Sequence, residues 1–268
     1  MTQKNDGILM DNGRRLLVAI YDSLYRGQFR MVFDKGEENM SLYVCGDTHA
    51  DIDWSKLAAH RFKIGKKLKK SDYVLVCGDF GGVWDCGVGD RYVQKWYDSK
   101  PWTTLFIDGN HENHDALDAM PVYEWHGGKV HKVTDSIIHL MRGQIYDIDR
   151  RKIFTMGGAD SIDKMYRKEG KSWWSRKMPS EEEYEEALRN VMTAGRVDYV
   201  FTHTAPSNVV KRINDSFTTD VLTDRLELYS YLLDFKKWYF GHFHALIQVD
   251  IHNKKFEGLY NKDPIRVW

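Results

Sequence analysis

Five short apolar stretches of this chain each end where a cluster of polar residues begins. Each stretch has three to five residues and is bounded by glycine or polar residues, which is typical of a strand buried in a sheet. Helix-like sequence separates the first three stretches, so we predict a largely parallel sheet whose carboxyl ends gather the polar clusters. In chain order the stretches are Leu42–Cys45, Tyr73–Cys77, Thr103–Ile107, Val197–Phe201 and Trp238–Phe240.

The sequence between and after these stretches predicts further elements. Leu57, Ile64 and Leu68 lie on one face of a predicted helix. Ser180 with Glu183 three residues later is typical of a capping box, so another helix is predicted to begin there. Close-spaced apolar runs without helices between them indicate antiparallel strands, and these runs are Ile137–Met141, Ile145–Ile148 and Ile153–Met156.

Composition indicates an ordinary globular protein, with 42% hydrophobic and 29% charged residues. The 268-residue chain is long enough to bury a sizeable core. Residues 1–40 contain none of the polar clusters, and we interpret them as an N-terminal extension of unknown role with one helix-like stretch around Arg14–Tyr25. Residues 41–268 form the domain that carries the predicted site.

Cysteine usage and hydropathy favour a cytoplasmic protein. Cys45, Cys77 and Cys86 form no CxxC pair and no even framework, which fits a reducing compartment. The longest apolar run near the start, Leu16–Tyr21, is too short for a signal peptide or a membrane span. We therefore predict no membrane partner, and the sequence leaves the oligomeric state open.

The polar clusters combine imidazole and carboxylate side chains at short spacing. Asp47 and His49 are two residues apart, as are His242 and His244, so an extended backbone would point each pair to one side. Nitrogen and oxygen ligands together suit Mn, Fe or Zn better than calcium. The clusters are Gly46–His49, Gly78–Asp79, Gly109–Glu112, Thr202–Thr204 and Gly241–His244.

In this order the clusters resemble the signature of the calcineurin-like metallophosphoesterases: D-x-H, G-D, G-N-H-[DE], a lone His and G-H-x-H. All five parts lie between residues 47 and 244, within the predicted domain 41–268. The resemblance implies an α/β fold, a four-layer α-β-β-α sandwich in which two mixed β-sheets are flanked by helices. It also implies a phosphomonoesterase (phosphatase) with a dinuclear metal centre of two divalent ions and a metal-bound hydroxide nucleophile.

The resemblance assigns a role to each cluster residue. Two ions about 3.5–4 Å apart repel each other, so a bridging carboxylate is needed between them. His111 would be the catalytic general acid that protonates the leaving group. The implied metal ligands are Asp47, His49 and His244 for one ion, Asn110, His203 and His242 for the other, and Asp79 as the bridge.

The second cluster departs from the serine/threonine protein phosphatases, which carry G-D-x-V-D-R-G there. Here the segment Gly78–Trp84 reads GDFGGVW and lacks both the second Asp and the phosphate-gripping Arg. This disfavours a protein phosphatase. Arg142 or Arg167 could replace that arginine, although each also fits a surface or packing role.

Two alternatives remain beside the phosphomonoesterase. The first is a phosphodiesterase or nuclease on the same metal core, although zero formal net charge disfavours long nucleic acid as a partner and leaves small diesters open. The second is a non-catalytic partner-binding scaffold of the same fold. Retention of Asp79, Asn110 and His111 favours the enzyme with a phosphoester substrate. The pair Trp173–Trp174 either walls a substrate cleft or packs in the core.

Overall fold

The computed structural model describes residues 9–11, 14–16, 40–161, 168–171, 173–260 and 262–268. It divides into two units, Met1–Met40 and Ser41–Trp268. In the first unit, strands β1 (Leu9–Asp11) and β2 (Arg14–Leu16) form an antiparallel pair. The helix predicted around Arg14–Tyr25 is therefore wrong at its start, and its remainder lies outside the described residues. The interpretation of residues 1–40 as an N-terminal extension of unknown role stays a prediction.

The described part of the second unit contains two sheets and the helices between their strands. Its strands are β3 (Leu42–Cys45), β4 (Tyr73–Cys77), β5 (Thr103–Ile107), β6 (Val122–Trp125), β7 (Gly128–Thr134), β8 (Ile137–Leu140), β9 (Gln144–Ile148), β10 (Arg151–Met156), β11 (Tyr199–Thr202), β12 (Lys237–Phe240), β13 (Ile247–Ile251), β14 (Lys254–Gly258) and β15 (Ile265–Arg266). Its α-helices are α1 (Val88–Asp98), α2 (His114–Asp118), α3 (Glu181–Ala194), α4 (Ser207–Ile213) and α5 (Val221–Leu232).

Both sheets mix parallel and antiparallel strands. One has seven strands in the order β15-β3-β4-β5-β8-β7-β6, with β3, β4, β5 and β8 parallel. The other has six strands in the order β13-β14-β12-β11-β10-β9, with β10, β11, β12 and β14 parallel. The predicted parallel pairing of the first three stretches is confirmed. Of the three runs predicted to be antiparallel, β9 and β10 pair in that way. The third, β8, lies in the other sheet, parallel to β5 and antiparallel to β7.

Helices cover one face of each sheet. On the seven-stranded sheet, Val76 and Phe106 pack in a core cluster with Val93 of α1. On the six-stranded sheet, Val200 packs with Leu226 of α5. Burial of these apolar faces under helices stabilises the outer layers of the fold.

The opposite faces of the sheets meet in the middle of the domain. Strand side chains alternate, so Leu75 and Phe201 point away from the helices, and both are completely buried. Tyr199 of β11 stacks on Trp268, which follows β15 of the other sheet, with ring centroids 5.6 Å apart. The predicted four-layer α-β-β-α sandwich is confirmed.

The two helices predicted within residues 41–268 had different outcomes. The capping box is present, since Ser180 and Glu183 bond reciprocally at the start of α3. The helix predicted through Leu57, Ile64 and Leu68 is wrong: the segment forms two short 3-10 helices, Trp54–Leu57 and Lys63–Lys67, and Ile64 is 42% exposed. Among the described residues, none of the helices has the length and apolar character needed to cross a membrane.

Candidate metal centre

All five polar clusters follow the carboxyl ends of strands, as predicted: β3, β4 and β5 in one sheet, β11 and β12 in the other. One hydrogen bond connects the last two clusters within the six-stranded sheet, and another joins this edge to the seven-stranded sheet. The backbone N–H of Gly241 donates to the carbonyl of His203 (2.9 Å), and the His203 ring bonds the carbonyl of Cys77 in the other sheet (2.9 Å). The clusters therefore meet where the two sheets come together.

Asp47, His49 and His244 form one group that could hold a metal ion. His244 Nε2 lies 3.3 Å from Asp47 Oδ2 and 3.3 Å from His49 Nε2. His49 Nε2 lies 3.8 Å from Asp47 Oδ2. The first and last clusters of the sequence are thus brought into contact.

Asp47, Asp79 and His203 form a second such group. His203 Nε2 lies 3.5 Å from Asp79 Oδ2, and His203 Nδ1 lies 3.9 Å from Asp47 Oδ1. Asp79 Oδ2 is also 3.9 Å from His49 Nε2. Both carboxylates therefore lie between imidazoles of the two groups.

The hydrogen bonds of His203 indicate what the site can bind. A carbonyl only accepts, so His203 Nδ1 must donate to Cys77, and Nε2 offers a lone pair whenever it carries no second proton. That lone pair faces Asn110 Oδ1 at 3.0 Å and Asp79 Oδ2 at 3.5 Å. The amide nitrogen of Asn110 donates to Ser161 Oγ (3.0 Å), which turns Oδ1 towards His203. Three acceptor atoms facing one another fit a cation between them.

His242 and His111 complete the set of predicted residues. The His242 ring centroid is 5.0 Å from that of His203, and its backbone N–H donates to both carboxylate oxygens of Asp47 (3.2 Å each). The His111 ring is 5.5 Å from that of His49, and its backbone N–H donates to Asp79 Oδ1 (2.7 Å). All eight predicted site residues therefore lie in one contact network.

Burial and neighbouring charges set the protonation of the ligand candidates. Burial lowers the pKa of His242 to about 3 and also lowers the pKa of His49. Burial alone would raise the pKa of Asp47, but the hydrogen bond from His244 and the nearby His203 and His49 bring it below its usual range. Ionised carboxylate and neutral imidazole are the forms that bind metal ions.

Several candidate ligands have left-handed backbone conformations, which disfavour residues other than glycine. Their φ angles are 44° at His49, 46° at Asp79, 65° at His242 and 47° at His244. The predicted extended backbone is therefore wrong for His49, and the pair His242 and His244 is not extended either. The side chains converge because tight turns aim them, and non-glycine residues in such turns concentrate at functional sites.

Three glycines leave space for the charged side chains. A Cβ atom on Gly78 would lie 2.0 Å from His203 Nδ1, and one on Gly109 would lie 2.1 Å from Asp79 Oδ1. A Cβ on Gly241 would lie 2.1 Å from Asp47 Oδ1. Each glycine thus admits a candidate ligand from a different cluster, because a side chain at that position would collide with it. At Gly78 the φ of 89° favours glycine as well.

Sequence reasoning assigned no role to two supporting carboxylates. Glu112 is fully buried and accepts hydrogen bonds from the backbone N–H groups of Gly81 (3.1 Å) and Gly109 (2.5 Å), which ties the second cluster to the third. Asp108 is paired with Arg142 (2.6 Å) and with His139 (3.2 Å). Only the position of Glu112 in G-N-H-[DE] could have signalled the first.

Of the two arginines proposed to bind phosphate, Arg142 and Arg167, only Arg142 lies among the described residues. Arg142 is buried, and its guanidinium donates to Asp108, to Glu183 (3.2 Å) and to two backbone carbonyls. It is therefore committed to packing and not to phosphate. Arg167 lies outside the described residues. Trp174 is 3% exposed and packs against Trp84 with ring centroids 5.0 Å apart, which makes it a packing residue.

The sequence model of the calcineurin-like phosphoesterase family matches residues 40–246, which is more than half of the chain. The comparison with curated proteins found no match.

Several solved structures are similar to this chain. The phosphopantetheinyl hydrolase PptH of Mycobacterium tuberculosis is 14% identical, with 83% of this chain and 90% of that chain covered and a TM-score of 0.39. A candidate 5'-nucleotidase of Staphylococcus aureus in complex with alpha-ketoglutarate is 16% identical, with 83% and 49% covered and a TM-score of 0.47. GAP50, the anchor in the inner membrane complex of Plasmodium, is 11% identical, with 82% and 71% covered and a TM-score of 0.44. By the family match, this chain belongs to the calcineurin-like phosphoesterases and is a phosphoester hydrolase.

Proposed function

We propose that this protein hydrolyses phosphomonoesters with two divalent transition-metal ions bound among its five clusters. The observation that carries the proposal is the environment of His203. Its Nε2 lone pair faces the oxygens of Asn110 and Asp79 at 3.0 and 3.5 Å while Nδ1 is used on a backbone carbonyl. Acceptors are not brought together in a buried site without a cation or proton to join them.

The proposed ligands form two sets that share a bridge. Asp79 Oδ2 is near imidazoles of both sets, 3.9 Å from His49 and 3.5 Å from His203, which supports a bridging role. The mixed nitrogen and oxygen donors favour Mn, Fe or Zn. We assign Asp47, His49 and His244 to one ion, and Asn110, His203 and His242 to the other.

Charge supports a phosphate substrate. Two carboxylates contribute about −2 and two divalent ions about +4, so the loaded site is positive although the chain has zero net charge. Bound ions of this kind activate water near neutral pH and neutralise the transferring phosphoryl group.

We propose that His111 donates a proton to the departing oxygen. Its backbone is held by Asp79 Oδ1 at 2.7 Å, and its ring is 5.5 Å from that of His49. The imidazole therefore stands beside the proposed ligands without belonging to either candidate group. A positioned general acid of this kind contributes about 10²–10⁴-fold to such a reaction.

The test is a metal-supplementation assay. Metal-free protein receives Mn²⁺, Fe²⁺ or Zn²⁺, hydrolysis of nitrophenyl phosphate and its bis-ester is followed, and bound metal is counted by mass spectrometry. We expect two ions per chain and faster hydrolysis of the monoester. Asp79→Asn should lower the rate by about 10³-fold because it removes charge between the two sets, while the exposed Asp51→Asn should leave the rate unchanged. No bound metal and no stimulated hydrolysis of either ester would contradict the proposal.

A further inference from the structure

Trp84 lies on the side of the site where His111 stands. The ring centroids of Trp84 and His111 are 6.4 Å apart, with their planes inclined by 34°. Trp84 is half-buried, so part of the residue remains accessible to solvent. It belongs to the segment after Asp79 in which this chain departs from the protein phosphatases.

The structure holds Trp84 in place from three directions. Its backbone N–H donates to Asp90 Oδ2 (2.8 Å), and its carbonyl accepts from Asn113 Nδ2 (2.9 Å). Its ring meets the buried Trp174 edge to face at 5.0 Å. The indole is therefore positioned before any substrate binds, which lowers the entropic cost of a contact with it.

We propose that Trp84 contacts the leaving group, and that the preferred substrates are phosphomonoesters whose departing alcohol carries a planar aromatic ring. This inference rests on the proposed function, which places the leaving group at His111. A group protonated by His111 would lie beside the indole, since the centroids of the two rings are 6.4 Å apart. The indole offers a flat apolar surface there, and aromatic rings pack on such a surface better than saturated ones.

The shared chemistry is a planar ring, which either a nucleobase or a simple aryl group supplies. Stacking on an aromatic side chain is worth about tenfold or more in binding. A role of Trp84 in packing alone would affect planar and non-planar substrates equally. The ratio of the two rates therefore separates recognition from packing.

The experiment uses two matched substrate pairs with the metal-loaded protein. Benzyl phosphate is compared with cyclohexylmethyl phosphate, and adenosine 5'-monophosphate with ribose 5-phosphate. Within each pair both substrates release a primary alcohol. The members of the first pair differ in the planarity of the ring, and those of the second pair differ in the presence of the planar base. We expect wild-type kcat/KM to be about tenfold higher for the planar member of at least one pair, and that pair identifies the ring.

Trp84→Leu should bring the ratio of that pair close to one, because the planar member loses more of its kcat/KM than the non-planar member does. Trp84→Phe should keep most of the preference because it retains a ring. Tyr92→Leu is the matched control, since Tyr92 is 60% exposed and its aromatic neighbour is Trp54, not a residue of the metal centre. Thermal unfolding of each variant shows whether it is folded, and Trp84→Met, which keeps apolar volume without a ring, replaces Trp84→Leu if the latter fails to fold.

Two ratios would overturn the inference. One is a wild-type ratio near one in both pairs, and the other is a ratio that Trp84→Leu or Trp84→Met leaves unchanged. In either case continued metal-dependent hydrolysis would leave the proposed function standing. Absence of hydrolysis of all four esters by a metal-loaded wild type that still hydrolyses nitrophenyl phosphate would overturn this inference alone. Absence of hydrolysis of nitrophenyl phosphate as well would reject the proposed function together with it.

Discussion

The two proposed ligand sets differ in how far water can reach them. We call Asp47, His49 and His244 the open set, and Asn110, His203 and His242 the buried set. In the open set the side chains of His244 and His49 are 48% and 18% exposed. In the buried set His203 is 0% exposed and Asn110 is 7% exposed, while His242 is half-buried. The difference therefore lies mainly in His203 and His244, since Asp47 of the open set is itself 4% exposed.

The difference teaches how one centre can be both stable and reactive. His203 is enclosed by Cys77, to which Nδ1 donates, and by Asn110, whose Oδ1 lies 3.0 Å from Nε2. His244 instead stacks on the partly exposed Tyr260, with ring centroids 4.9 Å apart. We infer that the buried set anchors its ion, whereas the open set exchanges ligands with solvent and substrate.

The largest expected effect concerns His111, which stands on the side of the open set. His111→Ala should lower kcat/KM for alkyl phosphates by about 10³-fold, because a poor leaving group needs the proton. Nitrophenyl phosphate should lose less than about tenfold, since nitrophenolate leaves unaided. Metal content should stay at the wild-type level. Equal losses with both substrates would argue against the general-acid role.

A smaller effect separates the two sets directly. His203→Ala should weaken binding of one metal ion by about a hundredfold, because neither water nor another side chain readily enters its buried position. His244→Ala should weaken binding by about tenfold, since water can take the open place. Calorimetric titration of metal-free protein measures both values, with the exposed His252→Ala as a control. Equal losses in the two variants would remove the distinction between the sets.

The smallest expected effect is the contribution of His131 to the pH dependence of the free energy of unfolding. Burial lowers the pKa of His131 to about 4, and His131 contacts His139, the partner of Asp108. The unfolded chain takes up a proton at His131 near pH 6.5, but the folded chain does not until about pH 4. The free energy of unfolding should therefore fall between these values by about 2 kcal/mol more in wild type than in His131→Gln.

Urea denaturation at pH 7.5, 5.5 and 4.5 measures this difference. The exposed His60→Gln should follow the wild-type curve. Identical pH dependence in wild type and His131→Gln would show that this histidine is not kept neutral by the fold.

The strand ends were predictable because short apolar runs and the glycines after them are local signals. The helix predicted through Leu57, Ile64 and Leu68 was wrong, because the spacing of apolar residues does not reveal the hydrogen bonds of a buried polar residue near them. Lys56 is 1% exposed and donates to the carbonyl of Asp47, so this segment turns inward to hold the first cluster. The periodicity of apolar residues carries no information about this hydrogen bond between Lys56 and the first cluster.

The candidate ligands were found from the sequence, but their support was not. Ser161 orients Asn110, and Glu112 joins the backbones of Gly81 and Gly109. These contacts depend on the meeting of segments up to 51 residues apart. A pattern of residue types can identify donors for a metal, whereas the groups that aim them become visible only in three dimensions.

The left-handed backbone at His49, Asp79, His242 and His244 would make the stability of the fold depend on bound metal. Each such residue raises the energy of the folded chain by about 1–3 kcal/mol unless its surroundings compensate. A bound ion that holds these side chains stabilises the fold in proportion to the logarithm of its free concentration. The amount of intact protein would then follow the supply of metal, so that scarcity removes the enzyme as well as its activity.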